Sequence, residues 1–186
     1  MRLVIAVAAA SFLITGCREA ADEPASNAGA NDTAAAPQAN AAAPNAAGAT
    51  PLGDPVAGEE AQALMKTRHD GMEEIGDAMK VLSREVKSDS PDLAAVRTQA
   101  ATIARLAPEV SGWFRPGSGP DVAETDALAA IWQDPADFAA KRTAFQQAAE
   151  RFNTAAQGTD VAAIRTAHAD LGKSCKACHD LYREKE

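Results

Sequence analysis

Histidine and cysteine are scarce in this chain, three of each in 186 residues. A structural zinc site needs four nitrogen or sulfur ligands. Beyond the segment Cys175–His179, only His69, His168 and Cys17 remain to supply them. Positive charge is also short: 18 Lys and Arg face 26 Asp and Glu, for a formal charge of −8. That balance argues against a nucleic-acid partner and fits an acidic domain that meets basic surfaces. Strand alternation is lacking, so a redox dithiol would have no βαβ setting. No apolar run reaches the ~20 residues of a membrane-spanning helix. There is no nucleophile–base pair, and the carboxylates read as solvated helix faces. The chain is therefore expected not to be an enzyme.

Against these absences stands one run near the C-terminus. Cys175-Lys176-Ala177-Cys178-His179 has the Cys-x-x-Cys-His spacing of a c-type haem attachment. On a helix, Cys175, Cys178 and His179 fall at i, i+3 and i+4 and project from one face. Two thiols can then bond to the porphyrin edge while the imidazole reaches the iron. A plain disulfide would leave His179 without a role. The expectation is one haem c, covalent through Cys175 and Cys178, with His179 as proximal iron ligand.

The N-terminus reads as an export address. Arg2 precedes an apolar run from Leu3 to Leu13, which ends in Leu13-Ile14-Thr15-Gly16-Cys17. This resembles a bacterial lipobox, with residues 1–16 a signal peptide and Cys17 lipidated after cleavage. Ordinary secretion with cleavage at another small residue is the alternative. Residues 17–58 are dominated by Ala, Asn, Pro and Gly, which bury too little apolar surface to offset their ordering entropy. They read as a tether. The expected address is the periplasm, anchored to a membrane through the N-terminal lipid.

Residues 59–186 have the length of one domain. Four apolar stripes step by three and four, as helices do. The first runs Met65, Arg68, Met72, Ile75, Met79, Leu82, Val86. The second opens at Ser90-Pro91 and runs Leu93, Val96, Ala100, Ile103, with Pro108 expected to end or kink it. The third opens at Asp134-Pro135 and runs Phe138, Arg142, Phe145, Ala149, Phe152, Ala156, with Gly158 expected as its C-terminal cap. The fourth runs Val161, Ile164, His168, Leu171, Cys175, Cys178, Tyr182. Short loops join all but the second and third, so the pattern predicts an all-α, antiparallel four-helix bundle with haem on its C-terminal helix. The long connection carries Trp113, Phe114 and Trp132. They either cover a haem edge or fill the end of the bundle.

A Cys-x-x-Cys-His on the last of four helices resembles the class II c-type cytochromes, the cytochrome c′ family. Arg68-His69-Asp70-Gly71-Met72, Pro116-Gly117-Ser118, Ala130-Ile131-Trp132-Gln133-Asp134 with Phe138, and Ser174 to Arg183 are similar to its segments. The resemblance covers about residues 59 to 186. It implies His179 as proximal ligand and Arg183 as a basic residue near the proximal haem face, although a charge favoured by the helix dipole would look the same. Arg68, on an apolar seam, would pair with a haem propionate or else snorkel to solvent. It also implies dimers formed through the first two helices.

Met72 matches the position facing the iron's distal side. As a sulfur ligand it would saturate the iron and favour single-electron carriage between redox partners. As a non-bonding residue it would leave a site for NO or CO, and as one of three methionines spaced by seven it could be core filler. Electron transfer is the first reading and gas binding the second.

Overall fold

The computed structural model describes residues 52–185. The expected signal peptide, the lipidated Cys17 and most of the expected tether lie outside the described residues. Helix α1 spans Gly58–Glu85, with Glu59 and Glu60 in its first turn and Arg84 in its last, each favourable to the helix dipole. Helix α2 spans Leu93–Leu106. Its cap is Asp92, not the Ser90-Pro91 pair. The Asp92 carboxylate accepts from the amides of Ala94 (2.9 Å) and Ala95 (3.1 Å), satisfying two otherwise orphaned donors. Past Pro108 the chain tightens into a 3₁₀ turn, Glu109–Gly112.

The one-turn helix α3 is Ala130–Gln133, inside the long connection. Helix α4, Pro135–Ala156, opens as expected, with Asp134 accepting from Asp137 N–H. Gly158 is not its left-handed cap. Among the described residues only Gly53, Gly58 and Gly117 have positive φ, and α4 closes on a right-handed Gln157. Helix α5, Val161–Tyr182, is capped by Asp160 through the amides of Ala162 and Ala163.

Helices α1, α2, α4 and α5 form the four-helix bundle. α1 packs on α2, α2 on α4 and α4 on α5. The core divides along the bundle axis. One half gathers Leu82, Val96, Ile103, Phe152, Ile164 and Leu171. The other gathers Ile75, Val110, Trp113, Phe114, Ile131, Phe138 and Tyr182. Trp113 and Phe114 are therefore interior residues of the bundle end. Phe114 meets Phe138 edge-on at 4.8 Å, and Phe138 meets Tyr182 at 5.1 Å, geometries that rings favour. Gly117, at φ +85°, lies against the carbonyl of Val56, where a side chain has no room. Beside it, Val56 N–H donates to Pro116 O, which straps the segment before α1 onto the loop.

α1 and α5 are not packed along their lengths, but they are tied at one end. Arg165 donates to the carbonyls of Val86 (2.8 Å) and Ser88 (2.9 Å). His168 Nε2 lies 3.4 Å from Ser83 Oγ. The half-buried His168 imidazole has its pKa held below the ordinary 6.5, because burial disfavours the cation and Lys87 adds repulsion. A base with a lowered folded pKa contributes stability above its unfolded pKa and loses it as pH falls toward the folded value. Stability should therefore drop on acidification below about pH 6.5. In denaturant titrations at several pH values, His168→Gln should flatten part of that slope.

Candidate haem site

The tie at Ser83 and His168 sets the register of the site. Moving from Val86 to Ser83 on α1 matches moving from Arg165 to His168 on α5, so the two helices run antiparallel. Eleven residues further along each, about 16 Å at 1.5 Å per residue, lie Met72 and His179. The two stand at one level on opposite sides of the space between α1 and α5.

Two half-buried faces continue from the Ser83–His168 contact: Met72, Gly76, Met79 and Ser83 on α1, and His168, Gly172, Cys175 and Cys178 on α5. A Cβ built on Gly76 or Gly172 would meet nothing within 4 Å among the described residues. Both glycines thus border open space. Cys175 and Met79 border one half of the core, while Cys178 and Met72 border the other.

Both cysteines are free. Burial pushes the Cys175 thiol up, and burial together with the neighbouring Cys175 pushes Cys178 up to about 11. Such thiols stay protonated and slow to form disulfides. His179 is exposed, yet the surrounding helix surface and then the Arg183 cation disfavour its protonated form, so its pKa lies below the usual value. A neutral imidazole is the state that binds a metal. The described residues hold no group of three or more His, Cys, Asp or Glu able to bind a metal on their own. The donor set fits haem c: two neutral thiols and one neutral imidazole on neighbouring turns of α5.

Arg68 does not reach solvent, being 4% exposed. Its Nη1 donates to Trp113 O (3.2 Å), Ser118 O (3.1 Å) and Ser118 Oγ (3.3 Å), and Nη2 donates to Thr125 Oγ1 (3.1 Å). The guanidinium also lies 5.1 Å from the Phe114 ring centre. Among the described residues no carboxylate pairs with it, and burial lowers its pKa. A buried cation bonded to neutral oxygens favours an anion nearby, which a propionate would supply. Arg183 lies just past α5 in extended backbone, 3.3 Å from Asp126. There the chain pairs with the loop through an isolated bridge between Ala127 and Arg183.

His69 is exposed, 3.6 Å from Glu73, and outside the site. Sequence reasoning passed over Arg142, a second buried arginine, although it interrupts its apolar stripe just as Arg68 does. It also passed over Gly71, whose missing side chain lets the Trp113 indole lie on α1.

Comparison with known proteins agrees with this geometry. Residues 63–183 match the family model described as Cytochrome C′. The chain is 35% identical over 130 residues to cytochrome c-554 of Cereibacter sphaeroides, covering 68% of this chain and 84% of that protein. Its fold is similar to that of cytochrome c prime from Shewanella frigidimarina, with TM-score 0.62, 36% identity and coverage of 69% and 99%. A cytochrome c prime variant from Alcaligenes xylosoxidans, solved as its nitric oxide complex, gives TM-score 0.61, 31% identity and coverage of 68% and 97%.

The Arg68 fork is replaceable by nothing shorter or rounder. Arg68→Lys, which cannot bridge the Trp113, Ser118 and Thr125 oxygens together, should cost about 2–3 kcal/mol in denaturant unfolding. Limited proteolysis should then cut faster between residues 113 and 125.

Proposed function

The chain belongs to the cytochrome c′ family and holds covalent haem c, and from that premise we propose that it carries single electrons between redox partners. The observation that carries this reading is the register that brings Met72 on α1 level with His179 on α5. Cys175 and Cys178 would hold the haem, His179 would supply a nitrogen ligand to its iron and Met72 a thioether ligand. The bound group would supply a reversible one-electron couple, whose potential a methionine ligand raises.

The chain's own residues do the rest. The tie between α1 and α5 holds Met72 at the right height. Met79 keeps the α1 face beside Met72 apolar. Arg68 keeps the loop closed over the bundle end and faces a propionate, and Arg183 adds positive charge beside the proximal side. The proposed role is electron transfer, in which no acid or base for substrate conversion takes part. The same proposal puts the protein in the periplasm of a bacterium, tethered through Cys17, which would raise its local concentration near membrane redox partners. Two copies would pair through α1 and α2.

Gas binding is the second reading, and one observation favours it. Met72 is only half-buried and sits on a flexible thioether arm, so it can block the distal face without bonding. The nitric oxide complex of the Alcaligenes protein shows what that relative binds.

Optical and EPR spectra of the ferric, haem-loaded protein at neutral pH separate the two. Electron carriage calls for a low-spin spectrum that turns high-spin in Met72→Ala. A high-spin ferric protein whose spin state is unchanged by Met72→Ala would transfer the case to NO or CO binding.

A further inference from the structure

Three large apolar side chains are exposed among the described residues: Val122 at 38%, Leu128 at 37% and Leu181 at 51%. Scattered singly, such residues are ordinary on a protein surface. Here the fold gathers them at one end of the bundle. Val122 and Leu128 belong to the long connection, and Leu181 lies on the last turn of α5. Two main-chain bonds join these segments on either side of the Ala127–Arg183 bridge. Leu128 N–H donates to Tyr182 O at 3.0 Å, and Glu184 N–H to Asp126 O at 2.7 Å. Ala127 and Tyr182 turn into the core, while their neighbours Leu128 and Leu181 stay exposed. Leu181 also lies three residues past Cys178, about 4.5 Å along the helix, so the patch adjoins the attachment site. Charge is segregated around it. Between Arg115 and Lys141 the chain carries five carboxylates and no Lys or Arg. Asp126 pairs with Arg183, Asp134 caps α4, and Asp137 meets Tyr182 and Lys141. Asp121 and Glu124 stand exposed on either side of Val122 in the sequence.

We propose that Val122, Leu128 and Leu181, rimmed by Asp121 and Glu124, form the docking face for a redox protein whose own face is apolar at its centre and lysine- or arginine-rich at its rim. Apolar contact supplies the short-range attraction, and the opposed charges steer the encounter. A small face of this kind suits a partner that must leave after each electron. A second copy of this chain fits less well, because a two-fold contact would set the same carboxylates against each other. An anionic lipid surface would repel them too. The inference rests on the electron-transfer reading, whose partner it describes, and holds whether or not Met72 ligates the iron.

The haem-loaded chain is tested with a lysine-rich class I cytochrome c as probe. Carbodiimide links carboxylates to amines in contact, and peptide mapping should place the links at Asp121 and Glu124. Stopped-flow mixing of the reduced protein with the oxidised probe then gives the rate of electron transfer. At low ionic strength, Glu124→Lys should slow it about tenfold and flatten its salt dependence. Asp89→Lys, an equal change of net charge on the turn between α1 and α2, should slow it far less. Leu181→Ser should also slow it about tenfold, with the salt dependence kept. Links spread over other carboxylates, or a Glu124→Lys rate no lower than that of Asp89→Lys, would overturn the proposal. So would sedimentation in which Leu181→Ser converts a dimer to a monomer, since the face would then join two copies of this chain. Links at Asp121 and Glu124 without electron transfer would uphold the docking face and overturn the electron-carrier reading instead.

Discussion

Arg165 and His168 hold α5 to the C-terminal end of α1, and the haem site follows from where that tie leaves the rest of the two helices. Both rise at the same rate per residue, so a contact at Ser83 dictates what faces what sixteen ångströms away. Glycines at 76 and 172 put no side chain on the two faces, and a Cβ at either would meet nothing within 4 Å among the described residues. The bundle closes its core through α2 and α4, and the proposed site lies along the α1–α5 seam. With covalent attachment on α5, the facing residues of α1 would determine the chemistry.

The end of the bundle nearest Tyr182 is organised by a second constraint, the satisfaction of two buried arginines. Arg68 gathers carbonyl and hydroxyl oxygens from a loop 45 to 57 residues away. Arg142 gathers one from the 3₁₀ turn. Each also lies over an aromatic ring, Phe114 or Phe138. These cations bring the long connection against α1 and α4, and the loop in turn seals the aromatic half of the core.

Much of this was legible in the sequence because its signals are periodic or local. Three-and-four spacing gave the four long helices, Asp134-Pro135 gave the start of α4, and Cys175, Cys178 and His179 declare their shared face by spacing alone. What escaped was decided by competition or by distance. Asp92 took the cap of α2 because a carboxylate two residues further on reached both free amides. Gly158 did not turn left-handed because the last turn of α4 closed on Gln157 without it. Two of the four oxygens that Arg68 bonds are main-chain carbonyls, which carry no sequence identity. The seat of Trp113 is the bare backbone of Gly71. Met72 stayed open for a different reason: periodicity gives its face and register gives its height, but neither distinguishes a bond from a contact.

Proton NMR of the reduced, haem-loaded protein addresses that distinction most directly. A methionine methyl bonded to low-spin ferrous haem lies in the porphyrin ring current, so one methyl assigned to Met72 should be shifted far upfield. A paramagnetic high-spin ferrous spectrum, or an upfield methyl that survives Met72→Ala, would contradict the placement of Met72 opposite His179 on the iron.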